Sequence, residues 1–169
     1  MVSALTVLGL AEHESRYGSY VALAEAMRSG PWTRPADTTQ ELFRRMVFNV
    51  LVGNNDDHLR NHAAFWDGHE LTLTPAYDIA PSPRSTSVSN QAIGIARDGR
   101  RSSQLWLCRD VAGAFLMSRS DADAVIDAMV DTIRAQWADV CDQVGVSAAE
   151  RAGMWGREFL NRYVFYDQP

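Results

Sequence analysis

The run Asn55-Asp56-Asp57-His58-Leu59-Arg60-Asn61, followed later by Tyr77-Asp78-Ile79, holds the side chains of this sequence best suited to chemistry. Asp56 precedes Asn61 by five residues, and Asp78 follows Asn61 by seventeen. Phosphoryl transfer asks little covalent chemistry of a protein. It needs a carboxylate to orient the nucleophile and a few hard oxygens to hold Mg²⁺ against the phosphates. A catalytic-loop Asp five residues ahead of a metal-binding Asn, with a second metal-binding Asp in a later short segment, is the spacing that protein kinases use. Asp56, Asn61 and Asp78 fit that spacing.

Elements to hold these residues are legible on both sides. Upstream, Leu42, Phe43, Met46, Val47, Val50 and Leu51 recur at helical spacing, with Thr38 or Thr39 ahead of Glu41 as the expected capped start. Gly53 ends the apolar pattern, so the acidic run begins where a rigid helix gives way to a loop. Downstream, 62–66 and 70–74 read as short strands around Asp67-Gly68, a hairpin turn signal. Pro75 closes the second strand, and a hairpin returning beside the loop would bring Asp78 near Asn61.

At these residues the chain resembles the HipA-like serine/threonine kinases, toxin components of bacterial toxin-antitoxin pairs. LFRRMVFNVLVGNNDDHLRNHAAF and LTPAYDIAP read like that family's catalytic-loop and metal-loop segments, and SALTVLGL and GSYVALAEAMR resemble the segments before them. The resemblance extends over nearly the whole chain. It implies a mainly α fold with a small β-hairpin or sheet, the carboxy-terminal lobe of a protein-kinase-like structure, forming a single domain over 1–169. Asp56 then corresponds to the catalytic aspartate that engages the substrate hydroxyl, His58 supports the catalytic loop, and Asn61 and Asp78 are the ligands of Mg²⁺ and hence of ATP. Asp57 takes no catalytic role, because family members vary there between a small residue and Asp. The implied partners are a protein substrate, such as an aminoacyl-tRNA synthetase, and a small DNA-binding antitoxin.

The sequence departs from that family in what it lacks. The eleven glycines are scattered, with no G-x-G-x-x-G or G-x-x-x-x-G-K-[ST] run, and all sixteen basic residues are Arg. A lysine for the nucleotide phosphates must come from elsewhere. The expectation is a lobe that begins where the carboxy-terminal lobe begins and needs a separate amino-terminal nucleotide-binding lobe. The alternative is a non-catalytic remnant or an interaction module that binds an antitoxin.

A net charge of −5 argues against a broad phosphate-contacting surface and so against direct nucleic-acid binding. Arg97, Arg100 and Arg101 read as a solvated hairpin tip. No secretory signal or membrane span is legible, which points to the cytoplasm. Cys108 and Cys141 are far apart in apolar helical patterns and read as buried, reduced thiols. His58 and His62 stand four apart and could serve a zinc hydrolase with Asp56 or Asp57. That pattern lacks an internal Glu, and a strand starting at His62 would break the helix it needs, so His62 reads as a loop-edge residue.

The remainder reads as scaffold. Ser19 caps a helix running to Met27, and 31–37 is a loop. The segment 81–90 is the most loop-like of the chain, a solvated connector in the place of an activation segment, with Ser82, Ser85, Thr86, Ser87 and Ser89 as candidate phosphorylation sites. A strand is expected over 91–97 and a helix over 105–117. Ser120 should cap a long helix with an apolar stripe from Val125 through Trp137 to Val140 and Val144. Ser147 with Glu150 forms a capping box for a last helix, from which Met154, Trp155, Phe159, Leu160 and Tyr163 point inward.

Overall fold

The apolar spacing of residues 42–51 produces the helix around which everything else is arranged. The computed structural model describes residues 1–83 and 88–167. Its elements are β1 (Val2–Ser3), α1 (Ala4–Val7), α2 (Tyr20–Ser29), α3 (Pro35–Val52), β2 (Ala63–Trp66), β3 (Leu71–Leu73), α4 (Leu105–Asp110), α5 (Arg119–Gln143) and α6 (Ala148–Met154). Short 3₁₀ turns join several of them. Leu42, Phe43, Met46, Val47, Val50 and Leu51 of α3 are fully buried against α2, whose Tyr20, Leu23, Ala24 and Met27 are buried in turn. Each large apolar side chain so placed contributes about 2 kcal/mol of transfer free energy. The architecture is mainly α with one small antiparallel sheet.

That sheet has the order β1-β2-β3, with Val2 opposite Ala64 and Ala64 opposite Leu73. The Asp67-Gly68 turn forms as its sequence dictates: Gly68 takes φ +104°, and the Asp67 carboxylate accepts the N–H groups of His69 and Glu70 at 2.8 Å each. Those two backbone donors hold the Asp67 carboxyl below its usual range. The outer edge of β3 is covered, because Leu71 N–H donates to Pro31 O at 2.7 Å and Thr33 N–H donates to Leu71 O at 3.0 Å. An edge covered in this way offers little template for further strand pairing.

Ser19 caps α2 by accepting from Ala22 N–H, and Ser147 and Glu150 cap α6 reciprocally, as their patterns require. Other boundaries differ from expectation. α3 starts at Pro35 behind a left-handed Arg34 rather than at Thr38 or Thr39, because proline at the first helical position brings a preset φ and no orphan N–H. Thr38 and Thr39 instead turn their hydroxyls onto the Thr33 and Ala36 carbonyls. The cap of α5 is Ser118, not Ser120: Ser118 and Asp121 complete a reciprocal box. Two residues past Asp121, Asp123 is engaged by Arg109 at 2.5 Å.

The expected strand over 91–97 does not form. Its backbone donors are divided among partners on different segments, with Ala92 N–H on Asn55 O, Gly94 N–H on Gly18 O and Ile95 N–H on Arg100 O. No single neighbour runs alongside to make a ladder. The expected helix over 105–117 is α4 plus a 3₁₀ turn over Ala112–Phe115. Of the expected α5 stripe Ile126 and Val130 are buried while Val140 and Val144 are exposed, Cys141 being the buried residue of the C-terminal half of the helix. Trp155, expected inward, is 38% exposed and lies against Trp137 at the surface. Arg97 and Arg100 are exposed and paired with Glu25, Asp98 and Asp110. Cys108 and Cys141 are free and buried. Ser85, Thr86 and Ser87 lie outside the described residues. No helix among the described residues is long and apolar enough to cross a membrane.

Candidate active site

The loop that carries the acidic run springs from Gly53. There the chain takes φ +69°, and a Cβ would stand 2.6 Å from the Glu158 carbonyl oxygen, so only glycine fits on both counts. Asn54 N–H closes the helix end on Asn49 O at 2.9 Å. Asn55 fastens the loop to the segment after residue 90: its carbonyl accepts Ala92 N–H at 2.9 Å, and its Oδ1 accepts from Ser103 Oγ at 3.2 Å. The candidate residues thus sit on a loop, but on one tied down at its root.

Asp56 and Asp57 then part company. Asp56 is exposed, and Asp57 is 3% exposed. Asp57 Oδ2 accepts the Tyr20 hydroxyl and lies 2.9 Å from His62 Nε2. His58 is half-buried, and its Nδ1 is buried with no partner among the described residues. Leu59–Asn61 make a 3₁₀ turn, closed by Asn61 N–H on His58 O at 2.8 Å. The Asn61 side chain is buried, and its Nδ2 donates to Asp56 O at 3.4 Å. That contact engages the amide nitrogen, not the oxygen that a cation would need.

Asp78 arrives on the chain returning from β3. It is exposed and left-handed, at φ +56°, a conformation that non-glycine residues adopt rarely and Asp more readily than most. Such a conformation persists only where the surroundings enforce it. Here they do so at four points. Arg45 Nη2 donates to Thr74 O at 2.7 Å, Tyr77 O–H to Arg60 O at 2.5 Å, Asn54 Nδ2 to Asp78 O at 3.5 Å, and Ser82 N–H to Gly53 O at 2.9 Å. Arg45, Asn49, Asp57, Asn61, His62 and Tyr77 together line one small cavity between α3, the loop and this segment. The phenols of Tyr20 and Tyr77 are pushed up from their ordinary range, in both cases first by burial and then by nearby carboxylate charge. Both remain hydrogen-bond donors at neutral pH.

The structure therefore brings the segments carrying Asp56, Asn61 and Asp78 side by side, as their spacing suggested. His62 is the residue whose expected place must be corrected. It is 3% exposed and committed to Asp57, because the 3₁₀ turn after His58 swings it inward. His58 and His62 flank that turn and share no helix face, so the zinc arrangement is not built. Tyr20 and Asn49 were not singled out from sequence. Asn49 could have been: it stands three residues after Met46, on the buried face of α3, where a polar residue requires a partner. A groove of about 500 Å³ lined by Val2, Val7, Trp32 and Trp66 among others contains none of the candidate residues.

Comparison with known proteins bears on the fold and the family. A Sinorhizobium fredii (strain NBRC 101917 / NGR234) protein named "Putative kinase Y4dM" is 36% identical over 69 residues, covering 40% of this chain and 16% of that protein. A chain of the Shewanella oneidensis MR-1 toxin-antitoxin complex of HipA, HipB and operator DNA has the same fold, with a TM-score of 0.75 at 16% identity over 96% of this chain and 45% of its own length. The present chain thus spans less than half the length of either. The family description of the HipA-like C-terminal domain matches residues 1–137, and the chain belongs to that family.

Proposed function

We propose that this chain is the carboxy-terminal catalytic lobe of a HipA-like protein serine/threonine kinase, the toxin of a toxin-antitoxin pair, transferring the γ-phosphate of ATP to a protein hydroxyl in the cytoplasm. The observation that carries this reading is the left-handed Asp78 strapped to the loop that presents Asp56 and Asn61. Exposed Asp56 orients the substrate Ser or Thr hydroxyl and accepts its proton late in the transfer. His58 supports the loop. The Asp78 carboxylate and the Asn61 amide oxygen are hard oxygen donors of the kind Mg²⁺ takes, so they would hold the cation, which supplies charge neutralisation at the phosphates. The adenine and phosphate contacts belong to an amino-terminal lobe. The partners are an antitoxin and a protein substrate of the aminoacyl-tRNA synthetase kind.

One observation favours a second reading, an interaction module without catalysis. An apolar groove of about 230 Å³ runs between α3 and α5, lined by Phe48, Val52, Ile133, Trp137, Val140 and Phe159. Calorimetry with MgATP on this chain, alone and mixed with a matched amino-terminal lobe, separates the two. Heat of binding only in the mixture supports the kinase lobe. Its absence in both leaves the interaction module.

A further inference from the structure

An unbroken line of buried side chains runs beneath the candidate site. Asn54 Nδ2 donates to Asp78 O at 3.5 Å and to Asn49 Oδ1 at 3.1 Å. Asn49 Nδ2 donates to Tyr20 Oη at 3.2 Å, and the Tyr20 hydroxyl donates to Asp57 Oδ2. His62 Nε2 meets that same oxygen at 2.9 Å, donating when that nitrogen is protonated. All five side chains belong to residues at most 3% exposed. The line starts on the backbone of Asp78, passes through Asp57 between Asp56 and His58, and ends on His62, next to Asn61. It therefore joins the two halves of the site through the interior.

Folding alone does not ask for such a line. Well-packed apolar residues of the same volume generally stabilise a core at least as well as a buried polar network does. What hydrogen bonds add is direction: each bond orients the groups it joins, while His62 Nδ1, at the end of the line, is buried with no hydrogen-bond partner among the described residues. The local backbone makes use of that direction. His58 is extended, at φ −121° and ψ 169°, and burial alternates from exposed Asp56 to buried Asp57 to half-buried His58. The inward turn of Asp57 thus goes with an outward-facing Asp56 on one side and a half-buried His58 on the other.

We infer that Asn54, Asn49, Tyr20, Asp57 and His62 form a positioning frame that sets the placement of Asp56 and Asn61 relative to Asp78. As a statement about metal and substrate geometry this rests on the kinase-lobe reading. As a statement about the loop it stands alone. None of the five needs to touch the reacting atoms. Burial of Tyr20 and the charge of Asp57 keep the phenol protonated, so the central donor of the frame is not lost near neutral pH.

Tyr20→Phe cuts the frame at its centre and keeps the ring in its edge contact with His62, at 5.5 Å between centroids. In the whole chain, hydrogen exchange at Asn61 N–H should quicken by about tenfold while exchange in α5 stays unchanged. Affinity for Mn²⁺, used as a paramagnetic probe of the Mg²⁺ site, should fall by about tenfold. Asp57→Asn, which keeps the side-chain size, should give the same pattern. Equal acceleration at Asn61 and in α5 would reveal a general loss of stability and overturn the frame. So would unchanged exchange at Asn61, or unchanged Mn²⁺ affinity where the parent chain binds it. If no Mn²⁺ is bound even with ATP and the matched amino-terminal lobe supplied, the kinase-lobe reading falls, and the exchange result alone decides whether the frame exists.

Discussion

The floor of the candidate site and the far end of α5 are both places where a returning segment packs on a helix, and they are built in opposite ways. Under the site, five nearly fully buried polar side chains are joined by hydrogen bonds. At the far end, Trp137 lies against Trp155 and Phe159 at ring-centroid distances of 5.4 and 4.5 Å, Val140 and Val144 stay exposed, and the polar contacts are surface devices such as the Ser147 box and the Arg151–Asp142 pair. Where only attachment is needed, apolar contact and helix caps suffice. Where angles matter, the chain buries directional bonds.

The sharpest way to break this comparison lies in two neighbouring carboxylates. With the amino-terminal lobe supplied, Asp56→Asn should lower phosphoryl transfer by about 10²- to 10⁴-fold, as loss of a proton-accepting group does. Its urea midpoint should barely move, since exposed substitutions change stability by about 0.5 kcal/mol or less. Asp57→Ala should differ by lowering stability as well. It strands the Tyr20 hydroxyl and the His62 imidazole in the interior and should cost about 3 kcal/mol in equilibrium unfolding. A smaller cost than that of any far-end substitution would erase the distinction between the regions.

At the far end, Trp137→Ala should cost about 2 kcal/mol through lost burial and ring contact, with no change in Mn²⁺ affinity. A metal effect there would mean that the two regions are coupled. The smallest effect concerns the caps. Ser147→Ala should cost about 1 kcal/mol at neutral pH. The hydroxyl of Ser147, and then its N–H, hold the Glu150 carboxyl below its ordinary value of 4.5. A carboxyl depressed in the folded state contributes stability above its unfolded value, and that contribution is lost as pH falls through the folded one. Thermal melts of the parent chain should therefore weaken below about pH 4.5 more steeply than those of Ser147→Ala.

Much of this arrangement was legible because it is local. Gly53, the Asp67-Gly68 turn and the Ser19 and Ser147 caps are each decided by residues within a few positions, and each formed as read. The candidate triad was legible through its spacing and its family likeness. The frame beneath it was not, because Tyr20 meets Asp57 across 37 residues and Asn49 across 29, and no local pattern announces such a meeting. The failed strand over 91–97 has the same origin. Its apolar residues are buried, Ile93, Ile95 and Ala96 among them, but partner availability decides pairing: Asn55 and Gly18 each claimed one donor, and Arg100 claimed those of Ile95 and Ala96. The C-terminal half of the α5 stripe misled for a related reason, since periodicity marks a face without saying whether anything covers all of it.

Gly53 bears on where this unit can be divided. The family likeness ends at residue 137, yet Glu158 closes over Gly53, and Leu160 N–H donates to Leu51 O at 2.8 Å, in the last turn of the helix that delivers Asp56. The stretch beyond the family match is thus a keystone at the root of the loop that carries Asp56 and Asn61. A boundary drawn at the end of the family match would cut away the support of the loop that holds the candidate residues.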